Sequence, residues 1–407
     1  MKEIQGMIGL LLVLVSLLAG CEPDVYHKGP TDFLQEDVLS KVDLRMYWER
    51  TIPLPAGEQV SRVWVRGEKL YCLTDGDTLI CVNAVVGTTL WSQELTVGKE
   101  EVFDPVHVDD MRLPLKVGDI TTIDNPPSMA NYPLFNAVVI STTTRLWVID
   151  RDKGTVYRNI VSDGFTPQVQ GVCDTERFYT VNSRRQVCGV KLLQGLPFWQ
   201  KSVKHELIKA PLALAPGYVL AATMDGTVQC YVADDLGTRI WHKKVHGGVR
   251  ESFVADERGV FLAADDRMIY GLAASRGRPL WDPVSMESDP EGQMLLGEQT
   301  LFQYAGAKGG IYAVDIANGQ LRWRAPKALT VLAIIDQTVY LKDRSNRLQI
   351  RDEITGKVLN TISLTDFELY PSNVTSPAIY MASRNGRIAC LRHESQGPIT
   401  MEELQND

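Results

Sequence analysis

A glycine followed four residues later by a tryptophan recurs through this chain at close to 40-residue spacing, and no other feature restricts the fold as much. Full copies stand at Gly87 and Trp91, Gly195 and Trp199, Gly237 and Trp241, Gly277 and Trp281, and Gly319 and Trp323. Two degenerate copies, Gly154 with Arg158 and Gly356 with Asn360, keep the glycine and lose the tryptophan. From Gly154 onward the intervals are 41, 42, 40, 42 and 37 residues. A sustained period of this size means one small structural unit copied along the chain, each copy burying its faces against its neighbours.

The copy ending at Trp323 shows what the unit is. Ile311 to Ile316 is an apolar run rich in β-formers, Ala317 to Gly319 marks a turn, and a second extended segment carries the tryptophan. Thr300 to Tyr304 supplies another strand upstream. Asp75-Gly76, Asp225-Gly226 and Asn385-Gly386 are hairpin signals, because type I′ turns need positive φ. Each period thus holds about four short antiparallel strands, with no amphipathic helix among them. Val219 to Ala222 and Ile379 to Ala382 are apolar on both faces, as strands lying between two layers must be.

These units predict an all-β fold, an eight-bladed β-propeller of four-stranded antiparallel blades. A stacked β-solenoid is the alternative, disfavoured because its coils are usually shorter. The inner strands of the eight blades fall near 61–86, 135–153, 169–194, 211–236, 251–276, 292–318, 329–355 and 367–396. Tyr47-Trp48 has no inner strands before it, so the N-terminal strand around Trp48 is expected to complete the eighth blade and close the ring. Closure removes the open edges that invite aggregation. Gly397 to Met401 keeps the spacing without the tryptophan and is the competing candidate.

The first 20 residues read as a signal peptide. Met7 through Leu18 is apolar apart from Gly9 and Ser16, and too short to span a bilayer comfortably. It ends in Leu18-Ala19-Gly20-Cys21, which resembles a lipoprotein processing site, with Cys21 as the lipidated residue. Glu22, rather than Asp, leans toward the outer membrane under the sorting rule that this resemblance brings. Residues 21–44 form a lipidated, flexible tether, 45–396 the propeller and 397–407 a C-terminal tail. With 44% hydrophobic residues and a net charge of −8, the chain is an ordinary globular one and lacks the basic character of a nucleic-acid binder.

The inner strand and following Gly-x-x-x-Trp, as in Ile311 to Asp315 through Trp323, resemble the PQQ-like β-propeller repeat, and the architecture resembles the BamB-like family of envelope lipoproteins. The resemblance covers 45–396. It implies that Trp48, Trp91, Trp199, Trp241, Trp281 and Trp323 dock against neighbouring blades, and that blades two and seven, with Arg158 and Asn360, are less tightly stapled. Quinone-dependent dehydrogenases share the architecture. This chain has neither their vicinal cysteine pair nor a Cys-x-x-Cys-His haem site, so no cofactor is expected.

Three further features are candidates for function. Residues 96–134 read as an insertion between blades one and two; it contains Asp104, His107 and Asp109, ligand types that could hold a metal but meet no strict motif. A solvated loop, and a partner-contact element, is the preferred reading, and no metal is assigned. Lys201 and Lys204 after Trp199, and Lys243 and Lys244 after Trp241, predict one basic patch on the rim of an acidic protein. Cys81, Cys230 and Cys390 share a repeat slot that elsewhere holds Gly189, Gly271 or Ala313, so they act as compact hydrophobes. Cys72 with Cys81, and Cys173 with Cys188, flank hairpins where a disulfide is open in an oxidising envelope.

No triad, phosphate loop or carboxylate pair is present. The resulting expectation is a non-enzymatic, lipid-anchored scaffold that is monomeric within a complex. Its partner would be an envelope protein, as in outer-membrane β-barrel assembly, and its membrane contact would be the N-terminal lipid alone. An extracytoplasmic ligand-binding or sensory propeller is the alternative, and a PQQ-dependent dehydrogenase the third reading.

Overall fold

The computed structural model describes residues 36–95, 100–112, 134–203, 207–234, 236–251, 253–363 and 367–396. Its strands form eight separate antiparallel sheets, seven of them four-stranded in simple sequential order. We label the strands of each blade a to d along the chain. In blade one they are Val60–Arg66, Lys69–Thr74, Thr78–Asn83 and Thr89–Glu94. The a strands of blades two to five touch one another in turn, which places a strands at the centre and d strands at the rim.

The core is divided into eight clusters, and each cluster draws its residues from two consecutive blades. One of them joins Trp48, Tyr380 and Cys390 of blade eight to Val65, Leu70 and Ile80 of blade one, so the ring is closed. The protein is therefore an eight-bladed β-propeller. Middle strands are buried on both faces: Ile379–Ala382 and Val260–Ala264 are buried at every position. This is the pattern that stacked sheets impose.

Blade eight is assembled from both ends of the chain. Leu44–Thr51 pairs with Arg387–His393, which pairs with Ile379–Ala382. Trp48 stands opposite Cys390, and a single bridge from Leu369 to Ala382 takes the innermost place. The N-terminal strand thus makes the closure, as its tryptophan predicts. The competing segment 397–401 lies outside the described residues, as do residues 21–35 of the expected tether and the C-terminal tail; residues 36–44 are no flexible tether, since Leu39, Val42 and Leu44 are buried in the core.

Two blade assignments need correction. Blade two does not begin at 135: Val106–Arg112 is its a strand and pairs with Leu134–Ser141. Val108 and Met111 are buried against blade three, while the register slips between them over Asp109 and Asp110, with Asp110 at positive φ. The two carboxylates fall in a bulge and hide the alternation that marks a strand. The extra residues, 113–133, therefore lie inside blade two, between a and b, rather than between two blades. In blade five the d strand is only Val284–Ser285, and Trp281 precedes it in a bend. Pro279 and Pro283 supply no amide for a longer ladder.

The cysteines at 72, 81, 173, 188, 230 and 390 are all free and buried. Cys72 pairs with Ile80 and Tyr71 with Cys81, so the two thiols occupy successive positions of opposite facing. Cys72 enters the cluster shared with blade eight and Cys81 the cluster shared with blade two. A one-residue offset in register separates them across the sheet.

Candidate interaction surface

Each repeat tryptophan joins its blade to the next by the same contact. Its indole Nε1 donates to the main-chain oxygen of the residue three before the next blade's turn glycine. Trp48 donates to Ala84, Trp91 to Arg151, Trp199 to Asp234, Trp241 to Ala274, Trp281 to Ile316 and Trp323 to Glu353, over 2.7–3.2 Å. The glycine is required twice over. Gly277 has φ +63°, and a Cβ there would stand 2.6 Å from the Trp241 ring. Within its own blade the ring lies over the c strand, opposite the small slot: Trp91 faces Cys81, Trp199 faces Gly189 and Trp323 faces Ala313.

Where the tryptophan is lost, the slot enlarges. Val148 faces Arg158 in blade two and Ile350 faces Asn360 in blade seven. Blade two is nonetheless stapled, because Arg158 Nε donates 3.0 Å to the Leu193 oxygen of blade three. At the junction of blades seven and eight the place is filled from elsewhere. Leu39 and Val42, from the turns at Glu36–Leu39 and Ser40–Val42, are buried there with Leu348, Ile350 and Phe367. The repeat tryptophans thus pack and hydrogen-bond across the blade junctions.

Asp104, His107 and Asp109 do not converge on a common ligand position. Asp104 pairs with Arg66 of blade one at 3.2 Å, and Asp109 pairs with Arg151 at 2.8 Å. His107 meets the Tyr71 hydroxyl at 2.9 Å with its ring edge-on. Burial, reinforced by the Arg151 charge, lowers its pKa to about 3, so the imidazole is neutral through the physiological range. Asp104 and His107 thus join blade two to blade one, Asp109 pairs within blade two, and no cluster of metal-ligating type occurs among the described residues.

The basic residues keep their place on the rim. Lys201 lies on the d strand of blade three, Pro197–Ser202, and Lys243 and Lys244 on that of blade four, Arg239–Lys244. Lys204 lies outside the described residues. Lys244 is partly neutralised by Asp225 at 3.0 Å. Against its burial, hydrogen bonds from Thr223, Lys244 and Thr227 hold that carboxyl well below the usual range. Lys243 is exposed.

Sequence reading missed the exposed apolar residues of these two blades. Leu196, Leu236 and Ile240 are 65%, 69% and 44% exposed on the same two blades. The turn of blade four rests on Trp199 of blade three through Gly237, so these residues belong to neighbouring elements. Their signal was legible: leucine beside each turn glycine, where a turn usually places polar residues. Leu196 and Leu236 stand in the turns between c and d, whereas Lys201, Lys243 and Lys244 stand at the other end of the d strands, opposite Val187, Val228 and Thr227.

The fold and its repeat define the class, an eight-bladed propeller of PQQ-like repeats stapled blade to blade by tryptophan. The chain belongs to the family described as outer membrane protein assembly factor BamB, whose model matches residues 36–206 and 183–330. A curated relative, the outer membrane protein assembly factor BamB of Nitrosomonas eutropha, is 23% identical over 155 residues; the match spans 37% of this chain and 37% of that protein. Among solved structures, BamB from Moraxella catarrhalis superposes with a TM-score of 0.60 at 12% identity, covering 88% of this chain and 99% of that one. The computationally designed Ika8 protein gives 0.57 at 13% identity, covering 82% and 96%. At such identities the structural likeness is one of fold, and fold alone does not fix function.

Proposed function

We propose that this chain is a non-enzymatic, lipid-anchored scaffold at the outer membrane facing the periplasm, where it holds a protein partner of the β-barrel assembly apparatus. Family membership across residues 36–330 carries the reading. The processing site at Cys21 supports the anchor, and the rim of blades three and four supplies a contact surface. Leu196, Leu236 and Ile240 would provide the apolar centre, with Lys201 and Lys243 steering an acidic partner.

The test is a detergent-solubilised pull-down of the full-length protein followed by mass spectrometry. Recovery of a β-barrel assembly protein is expected, together with its loss when Leu236→Asp and Ile240→Asp are combined. A second arm replaces 113–133 with a short turn, which the pairing of Arg112 with Leu134 permits. If the partner depends on that segment and not on the rim, the contact belongs to blade two. A preparation free of any envelope protein would overturn the scaffold reading.

A further inference from the structure

Each blade ends in a d strand whose outer side pairs with no other described strand. Such an edge offers a row of main-chain donors and acceptors to another chain, and native proteins guard it with charge, proline or brevity. Seven of the eight blades do so. The d strands of blades one and two carry Glu94 and Arg158, and that of blade six carries Arg322 and Arg324. Blade three has Pro197 and Lys201, and blade four has Arg239, Lys243 and Lys244. Blade five shortens its strand to Val284–Ser285 behind Pro283, and the closing strand of blade eight carries Arg45, Glu49 and Arg50.

The d strand of blade seven has none of these devices. Val358–Ser363 reads Val-Leu-Asn-Thr-Ile-Ser, without a charge or a proline. Val358 and Leu359 are 47% and 53% exposed, and Thr361 and Ser363 are exposed as well. Its inner side is held by the c strand, Arg347–Asp352, from Ser363 opposite Arg347 to Val358 opposite Arg351. The bulge beside its turn is no substitute for a guard, because blades one to four and six have the same bulge and are charged besides. Two d strands lost the repeat tryptophan. Blade two gained an arginine in its place, and blade seven gained Asn360.

This pattern selects the occupant. Against a second copy of the same edge, no charged side chain enters the new ladder in any register. Pairing with any other full-length edge of the ring would bring one in. Like charges opposed across a ladder destabilise it, so the other edges are poor partners for their own copies. Among the described strands each ring has one unguarded edge, so a two-fold pair uses up both and assembly stops at two copies. A two-fold axis at Thr361 sets that residue against its own copy, with Asn360 facing Ile362 and Leu359 facing Ser363. Threonine opposite threonine is a favourable cross-strand pair.

We infer that the outer edge of blade seven pairs antiparallel with the same edge of a second copy of this chain, so that one sheet runs through both rings. The result is a dimer in place of the monomer expected from the sequence. The edge is separate from the rim of blades three and four, and the inference does not rest on the scaffold reading.

A single strand pair is a small interface, so the test is made as a function of concentration. Sedimentation velocity of the full-length protein in detergent, over a hundredfold range of concentration, should show a passage from one copy per particle to two. In Leu359→Lys and in Thr361→Lys the midpoint should move at least tenfold higher, because each places a charge on both edges. Both positions are exposed, and if one variant fails to fold the other decides. Thr361→Cys should be joined to its own copy by a bismaleimide, whereas Ser92→Cys, exposed on the guarded edge of blade one, should not. The native thiols described are buried and do not compete. One copy per particle at every concentration, or a dimer indifferent to both lysines, would overturn the inference. Cross-linking of Thr361→Cys in cells to a different envelope protein alone would also overturn it, and would give the edge to a strand of that partner.

Discussion

The contact between Trp48 and Gly87 holds the ring shut, and a double-mutant cycle across it measures that role. Trp48 is 3% exposed and buried between blades eight and one. Truncation to alanine removes a large aromatic from a packed core, at about 3–5 kcal/mol. Its indole hydrogen bond to the Ala84 oxygen is lost as well, but the Tyr380 hydroxyl still donates to that oxygen at 3.0 Å. The orphaned-acceptor penalty is therefore avoided, and only the net ~1 kcal/mol of one hydrogen bond is at stake.

Gly87→Ala acts on the same contact from the other side. The residue has φ +78°, which costs an L-residue about 1–2 kcal/mol. Its new Cβ would stand 2.7 Å from the Trp48 ring, adding roughly 1–3 kcal/mol of overpacking. In the Trp48→Ala background the clash with the ring disappears, leaving the backbone strain and a 3.0 Å approach to Arg50 Cγ. The cycle should therefore show a coupling of about 1–3 kcal/mol, with the double variant less damaged than the sum of the singles. Urea unfolding followed by far-UV circular dichroism, with unchanged slope, provides the free energies. Additivity within ~0.5 kcal/mol would refute the staple.

Three further outcomes follow from other sites. Arg158→Trp alone should overpack against Val148 and cost about 1–3 kcal/mol, while the same change with Val148→Ala should recover that loss, read as urea midpoints. His107 has a folded pKa lowered to about 3, against roughly 6.5 when unfolded. The unfolded chain therefore takes the proton first, and stability is lost as pH falls from about 6.5 toward 3. Its ring protons should show no titration between pH 5 and 8 by NMR, and a normal inflection there would contradict its burial. The thiols at 72, 81, 173, 188, 230 and 390 should resist a water-soluble thiol reagent until the protein unfolds; rapid labelling of the native state would show that the blades open locally.

The period was legible because glycine and tryptophan are each irreplaceable in the staple: one needs positive φ and no Cβ, the other spans two blades and carries a donor. Where a different residue fills the role, the signal vanished. Arg158 reaches the next blade's carbonyl with a guanidinium, and Leu39 and Val42 fill the seventh junction from a segment far away in sequence. The a strand of blade two escaped notice because Asp109 and Asp110 bulge out of it and residues 113–133 separate it from its partner. Cys72 and Cys81 were misjudged through one residue of hairpin register, with the positive φ on Asp77 rather than on Gly76. The lysines of the rim were legible as charge. Leu196 and Leu236 could be assigned to the surface only once the turn of blade four was seen lying on Trp199.

The closing strand has a consequence for how such a chain comes into being. Glu49 and Arg387, ion-paired across the seam, are separated by 338 positions. In synthesis that proceeds from the N-terminus, the first strand made is the last to find its partner. Bringing ends so distant together costs roughly 5 kcal/mol of chain entropy beyond the constant term. Until then seven blades stand as an open arc with both terminal sheet faces bare, while the strand bearing Trp48 waits unpaired. Any chaperone that attends this protein in transit must keep residues 44–51 out of other sheets until residue 393 has arrived.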